Sequence, residues 1–197
     1  MSQLLHTTEL DAVNAMLAAL GEAGVNSLAA PLKGDAADAF NTLRNASREV
    51  QLQEWAANTE PDYPLLRTVE KEIVLPPNCF SVRLAREFQG RLAVIPRGTR
   101  LYNLTTHTFE FPYDLKATLR FLLSWQDLPE YLRPYIYLRA ARRFVDGNYG
   151  AADTHYFTEK DETTAMLHAK SEDSIVAAMN IFGSGGSLTP AAIREHR

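Results

Sequence analysis

Apolar residues recur at spacings of three and four near both ends of the chain, and in short interrupted runs between them, which sets helical blocks around a strand-rich middle. Leu10, Val13, Leu17 and Leu20 predict a first helix, with Thr8 as its N-cap, Glu9 and Asp11 in its first turn and Gly21 closing it. Gly24, Pro31 and Gly34 punctuate a loop over residues 22–34. A second helix is predicted from Asp35 to about Ala57. It turns Ala36, Phe40, Leu43, Val50 and, near its end, Trp55 inward, while Asp38, Arg44, Arg48, Glu49 and Glu54 face out. Two prolines in NTEPDYPLL (58–66) end that helical region.

From Ile73 to about Ser124 the periodicity shortens. Candidate strands are Phe80–Arg86, Arg91–Ile95, Arg100–Leu104, Thr108–Phe111 and Leu115–Leu123. Phe88-Gln89-Gly90, Pro96-Arg97-Gly98 and Pro112-Tyr113-Asp114 supply the turns. An antiparallel β module between two helical blocks is the natural organisation.

The stretch from Trp125 to Ser174 predicts a helical hairpin. Asp127 can cap the first helix and Pro129 can open it; alternatively the main helix begins at Pro134, since a proline there would kink a continuous one. Leu128, Leu132, Tyr135, Ile136, Ala140 and Phe144 form its apolar stripe, with Arg133, Arg139, Arg142 and Arg143 mostly off it. Gly147 and Gly150 supply the stop. The following helix, Thr158 to Ser174, offers only Ala165, Met166, Leu167 and Ala169 as apolar residues. A helix that polar buries little within its own subunit and is expected to lean on something outside it. Residues 180–197, with their GSGGS core, predict a flexible C-terminal arm.

The expected fold is α+β, mainly α: an antiparallel helical bundle (the N-terminal helices plus the C-terminal helical hairpin) with an inserted antiparallel β module. The expected division is 1–64 with 126–179 as the discontinuous helical domain, 65–125 as the β module and 180–197 as the arm.

Composition narrows the function. An apolar fraction of 46% and a charged fraction of 22% are those of a folded domain, which argues against disorder. The single cysteine, Cys79, excludes an internal disulfide framework and fits a reducing cytoplasm. MSQLLHTTEL lacks a basic start before an apolar core, so no signal peptide is expected, and no apolar run is long enough for a membrane helix. A net charge of −4 without a dense basic stripe argues against a protein that grips DNA phosphates.

Candidate chemistry is sparse. His155 and His168 are thirteen residues apart, about 220° around a helix axis, and no His/Glu spacing suits a metal. GSGGS lacks the Lys-Ser/Thr of a phosphate loop. Cys79 has no histidine near it in sequence and reads as structural. Glu159, Asp161 and Glu162, and likewise Glu110 and Asp114, look like solvated faces rather than a pocket that raises one carboxyl pKa. No catalytic residue, cofactor or metal is expected. Arg139, Arg142 and Arg143 project as one patch. Three readings stay open for it: ordinary surface arginines, pairing across a subunit contact with acids such as Asp161 and Glu162 of the polar helix, or phosphate binding.

Four blocks in order, ELDAVNAMLAALGEAGVNSL (9–28), DAADAFNTLRNASREVQLQEW (35–55, with Gln53 and Trp55 at its end), VLPPNCFSV with RLYNLTTHTFEF (74–82 and 100–111), and LPEYLRPYIYLRAARRFVDGNYGA (128–151), make the chain resemble the tail tubular protein A family of short-tailed phages. The resemblance implies a virion protein of the tail, assembled in the host bacterial cytoplasm, and not an enzyme. It implies a ring, typically of twelve copies, under the portal protein and above a nozzle protein of the tail tubular protein B type, with genomic DNA passing through the channel without specific binding. It also places the helical domain toward the portal, the β module toward the nozzle and the arm on the portal. Candidate subunit or portal contacts are then Arg133, Arg139, Arg142, Arg143, Asp161 and Glu162, with Phe182, Leu188, Ile193 and Arg194 from the arm. A tail-associated polysaccharide hydrolase, which needs a pocket with two carboxylates, and a packaging factor that binds duplex DNA are the competing expectations.

Overall fold

A computed structural model describes residues 7–29, 31–149 and 159–183. Helix α1, Glu9–Ala19, starts where Thr8 and Asp11 form a reciprocal capping box. It ends in a Schellman motif: the Glu22 N–H reaches the Leu17 carbonyl at 3.0 Å, and Gly21 adopts the positive φ the motif requires. Helix α2, Asp35–Gln51, buries Ala36, Ala39, Leu43, Ala46 and Val50. Three of these are alanines, so the backbone of a neighbouring helix can approach closely. That neighbour is helix α3, Arg133–Tyr149, which packs along α2 and also touches α1. The predicted stripe of α3 is the buried one: Leu128, Leu132, Tyr135, Ile136, Ala140 and Phe144 all lie in the core.

Several predicted boundaries move, each for a local reason. α2 stops at Gln51 rather than Ala57, because Trp55 folds back and its indole N–H donates to the Val50 carbonyl at 2.7 Å, satisfying a helix-end acceptor. Asp127 caps no α-helix. It accepts the Ser124 hydroxyl in a 3-10 turn, Trp125–Asp127, and α3 opens at Arg133 with Pro134 in its first turn. Gly147 does not interrupt α3, which continues to Tyr149; Gly150 and His155 lie outside the described residues. The last helix, α4, Glu159–Gly183, runs past the expected start of the arm at residue 180 to the first glycine of the GSGGS run.

Strands β1 (Thr59–Leu65), β2 (Cys79–Leu84) and β5 (Leu115–Phe121) form an antiparallel sheet in the order β1-β5-β2, and β3 (Val94–Arg97) pairs with β4 (Arg100–Asn103) as a hairpin. The segment with the two prolines does end the helical region, and it also forms β1, a strand that the spacing did not predict. It is an edge strand, and Pro61 and Asp62 bulge together opposite one residue of β5, between the pairs Glu60↔Leu119 and Tyr63↔Ala117. Central β5 alternates cleanly, with Leu115, Ala117, Leu119 and Phe121 inward. The hairpin turns at Gly98-Thr99, where Gly98 has φ of 63°, as the first central position of a II′ turn does. The segment expected as a strand at Thr108–Phe111 makes only isolated bridges, Thr108 to Asn103 and Glu110 to Glu72.

The mainly helical α+β class is the one observed. Its apolar interior falls into two clusters. One joins α1, α2, α3 and Ala169 of α4; the other joins Leu65, Ile73, Leu75, Leu101, Phe111 and the inward side of β5. Leu123 packs against both.

Candidate functional site

The arginine patch of α3 sits in a seam between three helices. From α2, Glu49 accepts from Arg139 at 3.2 Å and from Arg143 at 2.8 Å. From α4, Glu162 accepts from Arg139 at 3.0 Å through one oxygen and from Arg142 Nε at 2.7 Å through the other. Arg142 also stands 3.8 Å from Asp146, one turn on. The spacing that puts three arginines on one side of α3 therefore lets them clamp α2 and α4 to it. Of the two acids expected as partners across a subunit contact, Glu162 pairs with Arg139 and Arg142 within its own chain. Asp161, its neighbour, is exposed.

The electrostatics follow from the contacts. The hydrogen bond from Arg143 is the main reason the Glu49 carboxyl is held below its ordinary value. Burial would weaken the charge on Arg139, but the carboxylate of Glu49, with Glu162 behind it, reverses the direction and raises its pKa. The Nε atom of Arg139 is buried with no hydrogen-bond partner among the described residues, so the clamp carries an internal cost.

Three turns further along α4 a second carboxylate acts as a foot. Asp173 accepts from the backbone N–H groups of Ala56 and Ala57 at 2.8 and 3.2 Å, and from the Tyr131 hydroxyl at 2.7 Å. Burial first, then the bond to this carboxylate, raises the Tyr131 pKa and keeps the phenol a donor. Glu162, Ala165, Met166, Ala169 and Asp173 thus form one inward stripe at helical spacing, with acids at its ends and small or flexible residues between. The expectation that α4 buries little apolar surface in its own subunit holds, yet the helix is fastened there by charge. Its outward side carries Leu167, Ile175 and Met179, which are 60%, 46% and 67% exposed.

Arg133 departs from the patch altogether. It is buried, and its guanidinium donates to the carbonyls of Leu128, Gln126 and Thr7 and to the Glu130 carboxylate. Its place is inside, tying Thr7, just before α1, to the turn before α3, so the expectation that it lies off the buried stripe is corrected. Phe182 lies in the last turn of α4; Leu188, Ile193 and Arg194 lie outside the described residues.

Sequence reasoning named Gln53 at the end of α2, but Gln53 is exposed and Gln51 is the buried residue. The Gln51 amide bonds both the N–H and the carbonyl of Leu123, and its own carbonyl accepts from Asn58. Only its position on the inward side of α2, one residue after Val50, could have marked it.

Little else among the described residues resembles reaction chemistry. Asp62 and Glu87, both exposed, line an open hollow beside Arg86 and Lys116, not the enclosed pocket that a pair of glycosidase carboxylates needs. Cys79 is half-buried, and burial pushes its thiol up, away from a reactive thiolate. Among the described residues no group of three or more His, Cys, Asp or Glu is placed to hold a metal, and no helix is long and apolar enough to cross a membrane.

Fold and seam together define a mainly helical α+β chain whose α2, α3 and α4 are fastened to one another by ion pairs. The family model described as tail tubular protein matches residues 10–177, and the chain belongs to that family. No curated protein matches it. It is a structural component of a phage tail, as the four sequence blocks implied.

Proposed function

We propose that the chain is the head-to-tail adaptor of a short-tailed phage. Copies close into a ring, of twelve by family resemblance, between the portal protein and the nozzle protein, and the genome passes along the axis. The observation that carries this reading is the outer side of α4. Leu167, Ile175 and Met179 are exposed on a helix whose inner side is already filled, and three large apolar residues left on the outer side suit a surface that a neighbour covers.

Around that contact, Arg142, Arg143 and Asp161 keep solvent-facing parts and are the proposed polar partners, while Arg139 and Glu162 act by setting the position of α4. The helical part is proposed to face the portal, and the β module, which takes in β1 (Thr59–Leu65) ahead of the expected boundary at residue 65, the nozzle. The arm would reach the portal through Phe182, Leu188, Ile193 and Arg194. A net charge of −4 suits a wall past which duplex DNA slides. Assembly is proposed to take place in the host cytoplasm.

Electron microscopy of the purified chain mixed with the portal protein of the same phage tests the reading. A ring beneath the portal is expected. Portals that stay bare at saturating chain concentration would overturn it.

A further inference from the structure

We propose that the exposed face of the β3–β4 hairpin is a docking surface for another protein of the tail, one that presents an apolar face with a carboxylate aimed at Arg97. The inference rests on the chain's place in a tail and adds to it a surface and the chemistry of the partner.

Ile95 pairs with Tyr102 and Arg97 with Arg100 across the hairpin, and Val74 bridges to Arg100, so all five residues share one face. The opposite face, through Leu101 and Asn103, is buried. On the open side Val74 is 55% and Ile95 43% exposed. The guanidinium carbon of Arg97 lies over the Tyr102 ring, 3.6 Å from its centroid, and that of Arg100 lies 4.0 Å over Phe109. The two rings meet edge to face at 5.0 Å.

Like charges directly opposite each other on a sheet are unfavourable. Arg100 is neutralised by Glu72 at 2.7 Å, whereas no carboxylate among the described residues reaches Arg97. One guanidinium is therefore uncompensated, held in place by stacking and flanked by aliphatic surface. Stacking removes side-chain freedom before any partner arrives, so less is lost on binding. Arginine and tyrosine beside exposed aliphatic residues is the composition of an interface centre.

A protein fits this face better than a nucleic acid. Guanidinium groups already cover faces of both rings, so bases have little to stack on. Val74 and Ile95 would gain from an apolar cover and nothing from a sugar-phosphate backbone.

Complementation tests this. Full-length chain is supplied in trans to a phage lacking the gene, as wild type, Arg97→Glu, Ile95→Asp or Arg97→Lys. Both disruptive variants change exposed residues and should melt with the wild-type chain and enter particles. Their infectious titre should fall tenfold or more, with particles missing a tail protein that wild-type particles carry, and Arg97→Lys should lie between. Suppressors of Arg97→Glu should change an acidic residue of another tail protein to lysine or arginine. Wild-type titre for both disruptive variants overturns the docking surface. So does a gel shift in which wild-type chain binds DNA and Arg97→Glu does not, which would assign the face to nucleic acid. Absence of the wild-type chain from particles would instead sink its place in the tail, and this surface with it.

Discussion

Gln51 and Leu123 exchange two hydrogen bonds at the junction of the helical and β parts: the Leu123 N–H donates to Oε1 at 2.7 Å, and the Leu123 carbonyl accepts from Nε2 at 3.2 Å. One side chain thereby replaces a strand partner for a backbone position that packs against both apolar clusters. Gln51→Ala leaves both groups unpaired at a part-buried position. We expect a loss of about 1–2 kcal/mol. A urea titration followed by far-UV circular dichroism measures it, and a loss under about 0.5 kcal/mol would show the junction to be held by packing alone.

The fastening of α4 predicts a local effect. Glu162→Gln keeps the shape but removes the charge that Arg139 and Arg142 share, and Asp173→Asn does the same at the foot. Each should cost about 1–3 kcal/mol. Amide exchange should rise first across 159–179, while α1, α2 and most of α3 stay protected. Uniform acceleration over the whole chain would contradict a separately fastened helix.

Acid should loosen the seam and the start of α1. Glu49 and Asp11 lie below their ordinary values of 4.5 and 3.8, Glu49 chiefly through Arg143 and Asp11 through the Thr8 hydroxyl. Because these folded-state pKa values are lowered, the stability they contribute is present above the ordinary values and lost as pH falls through the folded ones. Glu9 has the opposite sign: burial raises its pKa, so its protonation favours the folded state as pH falls through the raised value. The net urea midpoint should fall below about pH 4.5, and Glu49→Gln should flatten the decline by a fraction of a kcal/mol, since that carboxylate is largely exposed. A midpoint that keeps rising down to pH 3 would reverse the balance assigned to these groups.

Substitution on the outer side of α4 separates folding from assembly. Leu167→Asp with Met179→Lys changes exposed positions, so the melting temperature of the isolated chain should barely move. Ring formation on the portal should be lost. Rings of normal appearance would show that α4 faces solvent in the particle.

The helical elements that bury ordinary apolar stripes were legible from spacing alone. Thr8 and Gly21 bracket α1 as expected, and Leu128 through Phe144 carry the core side of α3. β1 was hidden because Pro61 and Pro64 argue against a strand, and nothing in the sequence tells an edge strand, where prolines are tolerated, from a central one. The inner stripe of α4 was hidden for another reason. Its end positions are Glu162 and Asp173, and hydrophobic periodicity cannot count a buried carboxylate as an inward residue. The arginines were legible as one patch, but what they meet was left open, and the partner Glu49 sits about ninety positions away in the same chain, a distance that no local pattern spans.

Glu162 and Asp173 also work together as a gauge. They are eleven residues apart, three helical turns or about 16 Å along the axis, and each meets a set of donors fixed on other elements. Sliding α4 by a single turn, about 5.4 Å, would strip both carboxylates of their partners at once, while the alanines between them would pack almost as well as before. The apolar contacts leave the axial setting of the helix loose, and the two acids select one position. Whatever meets Leu167, Ile175 and Met179 from outside therefore finds them at the same height on every copy.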